Sequence, residues 1–498
     1  MSTITIQNLS FTYEGSYDPV FEQVSLQLDT TWKLGLIGRN GRGKTTLLNL
    51  LLGKYEYQGN ISSPVPFDYF PFPVPERTGS RTAWDILEAA VPDCELWQVC
   101  RELDALQMDA ALLWQPYETL SFGERTRVML AVLFSRDNHF LLIDEPTNHL
   151  DEPARKLLGQ YLRRKKGFIL VSHDRRLLDD CTDHILAINR AGITLEKGNF
   201  STWQENKQRQ DSFELAQNLR LRKEISRLTS AARQSASWAG SSEKNKIGYA
   251  SHHDKADSPS RDYVGEQSRR MEQRRKNLER RRQKALEEKS ALLKNLETAE
   301  PLKLFPEKYH KEVLLEAKDL QISFGPRPLF PPLNFRLKQG ERLVLRGSNG
   351  SGKSSLLKLF LGDSVPYTGL YSSGSGLKIS YLSQDTSFLK GSLADLALAR
   401  GLNLTLLLAL LRKLDLERPQ FEKPLEAFSA GQKKKVLIAA SLCEQAHLYL
   451  WDEPLNYIDL FSRIQLEEVL LSSRPTMVLV EHDRAFTDQV GTSFLDLG

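Results

Sequence analysis

Two segments of this chain have the residue types and spacing to hold a triphosphate. Gly38-Arg39-Asn40-Gly41-Arg42-Gly43-Lys44-Thr45 and Gly347-Ser348-Asn349-Gly350-Ser351-Gly352-Lys353-Ser354 both fit G-x-x-x-x-G-K-[ST]. The glycines let backbone N–H groups turn toward phosphate oxygens, the lysine reaches the β and γ oxygens, and the hydroxyl is a ligand for Mg²⁺. Downstream of each loop, four apolar residues lead into Asp144-Glu145-Pro146 and Asp452-Glu453-Pro454. An aspartate closing a buried strand suits the Mg²⁺ shell. The next carboxylate suits orienting and deprotonating a water in line with the γ-phosphate. His173 and His482 each follow another apolar strand and precede Asp174-Arg175 and Asp483-Arg484, the position of a γ-phosphate sensor. Ser121-Phe122-Gly123-Glu124 and Ser429-Ala430-Gly431-Gln432 each open a helical run, where a hydroxyl and free N–H groups can meet phosphate. Any one of these signals is common. Their repetition in the same order points to two sites for ATP with Mg²⁺.

These side chains require particular elements. The runs Leu34-Gly35-Leu36-Ile37 and Leu343-Val344-Leu345-Arg346 predict a strand feeding each loop, and Thr45-Thr46-Leu47-Leu48 and Ser354-Ser355-Leu356-Leu357 predict the helix after it. Buried parallel strands are predicted at Phe140–Ile143 and Leu448–Trp451, then at Phe168–Val171 and Met477–Val480. Each half therefore reads as an α/β domain around a mostly parallel sheet. From about Gln204 to Pro306 the strand signals fade. Leu221, Ile225, Leu228 and Ala232 follow an a/d spacing, and Met271, Leu278, Ala285 and Leu292 stand seven apart. This pattern predicts an antiparallel α-helical hairpin, turning within residues 241–260 near Pro259. A charged, partly disordered linker is the competing reading, and the apolar heptads argue against it. The expected division is 1–205, 206–305 and 306–498.

A chain of 498 residues with 40% hydrophobic and 26% charged residues reads as globular. Its longest apolar stretch, Leu402 to Leu411, is interrupted by Asn403 and Thr405 and falls short of the roughly 20 residues that span a bilayer. The first residues show no signal-peptide pattern, and Cys94, Cys100, Cys181 and Cys443 lack metal-ligand spacing, so reduced thiols in a cytoplasmic protein are expected. The net charge of +4 conceals an asymmetry: residues 206–300 carry 22 Lys/Arg against 14 Asp/Glu. Arg269, Arg270, Arg274, Arg275 and their neighbours occupy several faces of one predicted helix, which suits RNA phosphate contact; a solvated coiled coil is the alternative. Lys244, Lys246, Tyr249, His252, Lys255 and Tyr263 at the predicted turn are candidates for rRNA contact and base stacking, or for ordinary hairpin packing.

Phosphate loop, Ser-x-Gly-[Glu/Gln] signature, Asp-Glu-Pro and histidine, in that order, resemble the ATP-binding cassette superfamily over both halves of the chain. The resemblance implies two cassettes in a head-to-tail sandwich within one monomer, ATP at Lys44 facing Ser429 and ATP at Lys353 facing Ser121. It places Tyr13 and Phe324 where the family stacks adenine on an aromatic, ordinary strand aromatics being the alternative. Gln384, in Tyr381-Leu382-Ser383-Gln384, matches the Q-loop glutamine that coordinates Mg²⁺ and water. The first half departs from the pattern: Tyr69-Phe70-Pro71-Phe72 puts a phenylalanine there, so the two sites are expected to differ.

Two fused cassettes with a helical linker, Pro146-Thr147-Asn148-His149-Leu150-Asp151 and Gly198-Asn199-Phe200-Ser201 are similar to the ABC-F family. That family implies binding of the 70S ribosome at the E site, the linker reaching 23S rRNA near the peptidyl-transferase centre and the P-site tRNA. A short first-cassette arm, a linker of roughly 100 residues and no long tail resemble the Lsa and Vga type of ribosome protection, directed against lincosamides, pleuromutilins and streptogramin A. A housekeeping translation factor of the same family and a soluble ATPase subunit of a membrane transporter are the rivals. No obligatory protein subunit and no membrane contact are expected.

Overall fold

The computed structural model describes residues 2–15, 18–75, 81–147, 150, 152–189, 192–247, 266, 269–270, 273–274, 276–284, 286–287, 302–324, 328–348 and 350–497. The chain forms two compact units, one made of residues 1–201 with 299–498 and the other of residues 202–298.

The first unit holds two similar α/β bodies. In one, a six-stranded sheet has the order Phe67–Phe70, Phe140–Asp144, Phe168–Val171, Lys33–Gly38, His184–Asn189, Gly192–Lys197. All neighbours in it are parallel except the last pair. In the other, five parallel strands run Ile379–Leu382, Leu448–Asp452, Met477–Val480, Arg342–Arg346, Ser493–Asp496. The apolar runs are buried because both faces are covered: Phe140, Leu142 and Ile143 in one sheet and Leu448, Leu450 and Trp451 in the other are inaccessible to water. Each body adds a three-stranded antiparallel sheet, with Thr3–Phe11 between Phe21–Asp29 and Gln58–Ser62, and Val313–Ile322 between Leu333–Lys338 and Tyr367–Ser373. Ile6, Leu28, Leu36, Leu48 and Val171 join the two sheets of the first body through one core, and Leu315, Leu337, Leu345, Phe360 and Val480 do so in the second.

Helices begin where side chains satisfy their free N–H groups. Capping boxes start the helices Ala83–Ala90, Phe122–Phe134, Leu393–Ala399 and Ala430–Cys443, from Thr82, Ser121, Ser392 and Ser429. The second unit is helical. A 48-residue helix spans Phe200–Ile247, and the described residues between 266 and 287 are helical as well. Leu221 and Leu228, seven apart, are buried, as an apolar heptad requires. Cys94 and Cys181 are buried, Cys100 and Cys443 half-buried, and all four are free thiols. Among the described residues no helix is long and apolar enough to cross a membrane.

Candidate functional site

Each phosphate loop turns from an inner strand of its sheet into a helix, Lys44–Leu51 or Lys353–Leu361. Gly43 and Gly352 make that turn with φ of 95°. A Cβ on Gly43 would stand 2.7 Å from Val20 Cγ1 and 2.9 Å from Phe21 Cζ, so both backbone and space demand glycine. Lys44 Nζ donates to the carbonyls of Gly38 at 2.7 Å and Arg39 at 3.3 Å, and to Asn40 Oδ1 at 3.3 Å. Lys353 Nζ donates to the carbonyls of Gly347 and Ser348, both at 2.8 Å. Both ammonium groups thus arch over their own loops, the place where phosphate oxygens would meet them. Gly41 and Gly350, also at positive φ, have open space beside them, and Asn349 lies outside the described residues.

At the floor of each site a hydroxyl meets a strand-end carboxylate. Thr45 Oγ1 donates to Asp144 Oδ2 at 3.2 Å, and Ser354 Oγ to Asp452 Oδ2 at 3.3 Å. Paired hard oxygen donors beside a phosphate loop fit Mg²⁺. Burial raises the carboxyl of Asp144 above its ordinary value, and burial beside Glu453 pushes Asp452 up to about 6. Both are groups that a cation would ionise fully.

Glu145 and Glu453 both adopt the left-handed backbone region, with φ of 50° and 46°. Each turns off its strand while its N–H still reaches the neighbouring strand, at the carbonyls of Val171 and Val480 (2.9 Å in both). A non-glycine residue in that region is uncommon and costs conformational energy, so the sheet holds these side chains in place at a cost. Their surroundings then differ. Glu145 Oε1 is buried, lies 3.4 Å from His173 Nε2, and has no hydrogen-bond partner among the described residues. Burial, aided by the charge of Asp144, pushes its carboxyl up to about 7. Burial also holds His173 well below the usual histidine range, so the pair is not an ion pair at neutral pH. Glu453 Oε2 instead accepts from Gln384 Nε2 at 2.7 Å and from Asn456 Nδ2 at 2.6 Å, with His482 Nε2 lying 3.6 Å from Oε1. Burial raises this carboxyl too, but His482, Asn456 and Lys434 outweigh it and hold Glu453 below its ordinary value.

Strand register fixes the difference. Phe67–Phe70 pairs with Phe140–Ile143 as Ile379–Leu382 pairs with Leu448–Trp451, so Phe72 stands where Gln384 does. At the first site Tyr69 OH donates to Asp144 Oδ2 at 3.0 Å.

The two halves meet at these sites. A cavity of about 780 Å³ has Gly352, Lys353, Ser354, Ser355, Gln384, Glu453 and His482 on one side and Ser121, Gly123 and Arg155 on the other, with Phe324 on its wall. Lys353 and Ser121 thus face each other across it. Ser121 and Ser429 also cap their own helices, each accepting at 3.3 Å from the N–H of Glu124 or Gln432. Opposite, Asn40 Nδ2 donates to the Tyr457 carbonyl at 3.4 Å, and a Cβ on Gly431 would approach that same carbonyl to 2.8 Å. The first phosphate loop and the second signature therefore share a neighbour. Arg39 pairs with Asp415, and Arg175 with Glu467 at 2.9 Å. Tyr13 packs edge-on against Phe11, and its hydroxyl hydrogen-bonds the buried Thr46 Oγ1 at 2.7 Å.

Sequence reasoning missed Tyr69, Asn456, Lys434 and Arg463. Arg463 Nη1 donates at 3.0 Å both to the His173 carbonyl of the first half and to Asp483 of the second. Its signal was available, since Arg155 and Arg463 each stand four residues after an aspartate in the repeated segment. Asn456 likewise repeats Asn148. Lys434 had no such signal, because Thr126 occupies the matching place. In the helical unit, Arg269, Arg270 and Arg274 are exposed, and Arg270 pairs with Glu266 at 2.9 Å. Tyr249, His252, Lys255, Tyr263 and Arg275 lie outside the described residues, as do the side chains of Lys244 and Lys246.

Comparison with known proteins agrees with this geometry. A family model described as ABC transporter matches residues 21–148 and 330–456. The ribosome protection protein VmlR of Bacillus subtilis (strain 168) is 29% identical over 506 aligned positions, covering 99% of this chain and 86% of that protein. The energy-dependent translational throttle protein EttA of Escherichia coli (strain K12) is 26% identical, covering 96% and 89%. The fold is similar to that of the archaeal ribosome recycling factor aABCE1, solved with the stalk protein aP1, at a TM-score of 0.62 and 19% identity over 98% of this chain and 87% of that one.

Proposed function

Since the chain belongs to the ABC transporter family, as an ATP-hydrolysing tandem-cassette protein of the ABC-F type, we propose that it binds the ribosome and uses ATP to control its stay there. The observation that carries this reading is a basic helical segment between two cassettes, in a chain similar along nearly its whole length to a ribosome protection protein and a translational throttle protein. Lys44 and Lys353 hold the phosphates, and the signature serine of the opposite cassette closes over each nucleotide. Thr45 with Asp144, and Ser354 with Asp452, hold Mg²⁺, joined at the second site by Gln384. Bound there, Mg²⁺ neutralises charge on the phosphates. Glu453, ionised at neutral pH and fixed by Gln384 and Asn456, takes the proton of the attacking water at the second site. Glu145 has the same place in the first. His173 and His482 face the γ-phosphate.

ATP binding closes the cassettes and stabilises the ribosome-bound state at the E site, and hydrolysis releases it. The linker, residues 206–305, reaches 23S rRNA and the P-site tRNA through its basic residues, and this displaces lincosamides, pleuromutilins and streptogramin A. Such a protein works in the cytoplasm. The similarity to EttA favours a second reading, a translation factor that acts without drug.

Co-sedimentation of Glu145→Gln/Glu453→Gln protein with 70S ribosomes in ATP, with and without radiolabelled lincomycin, separates the readings. ATP-dependent pelleting with loss of bound drug supports protection, and pelleting with drug retained supports the translation factor. Failure to pellet removes the ribosome from the account.

A further inference from the structure

Lys434 is a buried lysine. It lies in the helix Ala430–Cys443, directly behind the signature Ser429, and only 2% of it is exposed. Burying an ammonium group is costly unless it is held by specific partners, so its contacts deserve a reason. Its Nζ donates to the carbonyl of Ser383 at 3.0 Å and to the carbonyl of Asp452 at 3.1 Å. Ser383 immediately precedes Gln384, and Asp452 immediately precedes Glu453. Gln384 and Glu453 are the two side chains that meet at 2.7 Å. One cation therefore ties together the backbones that carry the glutamine and the glutamate of the second site, and it does so from the helix that begins with the signature serine. In the first half the matching helix has Thr126, whose side chain is too short to bridge two strand ends, and Phe72 replaces the glutamine.

We propose that Lys434 is a positioning residue for ATP hydrolysis at the second site, fixing Gln384 against Glu453 so that this site, rather than the first, carries most of the turnover. Both partners of Lys434 Nζ are backbone carbonyls. It acts by holding two backbone segments at one separation, and it makes that separation depend on the placement of the signature helix. Glu481 and the carboxylates of Asp452 and Glu453 surround it and balance its charge.

The test is steady-state ATPase kinetics of the full chain carrying Glu145→Gln, so that the second site is read alone. Lys434→Met removes the donor and keeps the bulk. Turnover is expected to fall at least tenfold, with KM for ATP changed less than twofold, because binding groups are untouched. The same change made on top of Gln384→Ala is expected to cost less than threefold, since the pair it positions is already broken. Lys434→Thr, the residue type of the first half, is the second variant and is expected to behave like Lys434→Met. ATP affinity by equilibrium titration and the thermal unfolding midpoint show whether each variant is folded. Undiminished turnover in a folded Lys434→Met or Lys434→Thr protein would overturn the proposal. So would a loss of equal size with and without Gln384, or a rise in KM that accounts for the whole effect. None of these readouts involves the ribosome, so their failure is distinct from failure of ribosome binding.

Discussion

At the residue scale the two glutamates share a backbone conformation and differ in company. Glu453 has two donors on one oxygen and is held below its ordinary value, whereas Glu145 has burial and a neighbouring carboxylate and is pushed up to about 7. A general base works only when ionised. With Glu453→Gln in place, turnover left at the first site is therefore expected to fall as pH decreases, because burial raises the Glu145 carboxyl above its ordinary value. With Glu145→Gln in place, turnover at the second site is expected to stay flat from pH 6 to 8. Comparing the two pH–rate profiles checks this, and identical profiles would count against the assignment. Replacing Glu453 by Gln removes the proposed base and is expected to lower turnover at the second site by about 10²- to 10⁴-fold with ATP still bound, so that total turnover falls further than with Glu145→Gln.

Elements decide which residues can be changed. The turn at Gly43 has a positive φ and no room for a Cβ, because Val20 and Phe21 lie behind it. Gly43→Ala is expected to abolish nucleotide binding at the first loop and leave one binding event, not two, in a calorimetric ATP titration. The capping box from Ser392 to Asp395 starts a helix and touches no candidate site residue. Losing such a cap costs about 1 kcal/mol. Ser392→Ala should therefore speed amide exchange in residues 393–399 several-fold without altering ATP turnover. Ser121 and Ser429 pose the harder case, since the same hydroxyl caps a helix and is proposed to meet a nucleotide.

On the scale of the whole molecule, the halves are joined by charge pairs of unequal worth. Arg175 and Glu467 are both nearly buried, and removing one partner of such a pair costs about 3–5 kcal/mol. Arg176 and Asp488, 48% and 45% exposed, form a pair worth about 0–1 kcal/mol. Arg175→Ala is thus expected to lower the thermal unfolding midpoint by several degrees, and Arg176→Ala to leave it within about a degree. Equal shifts would mean that burial does not rank these contacts. For the helical unit, binding through exposed arginines such as Arg269 and Arg274 is expected to weaken steeply with salt. Ribosome pelleting measured from 50 to 200 mM salt checks this, and a flat response would remove phosphate contact as the mode of binding.

Repeated motifs made much of this legible beforehand. Phosphate loops, strand-end aspartates and Gln384 opposite Phe72 are local patterns set by residue type and short spacing, and strand register places Phe72 and Gln384 at matching positions. The sequence by itself determined that two α/β halves would each present a lysine, a hydroxyl and paired carboxylates in one order, because strand–loop–helix geometry follows from neighbours in the chain. Only the tertiary structure decided what surrounds each glutamate. The left-handed turn at Glu145 and Glu453 goes with N–H bonds to Val171 and Val480 on the next strand, and the Tyr69 hydroxyl on Asp144, Arg463 between His173 and Asp483, and Lys434 beneath Ser383 and Asp452 join segments 18 to 290 residues apart. Burial and hydrogen bonding at such junctions depend on packing between elements, and no spacing along a single strand or helix encodes them.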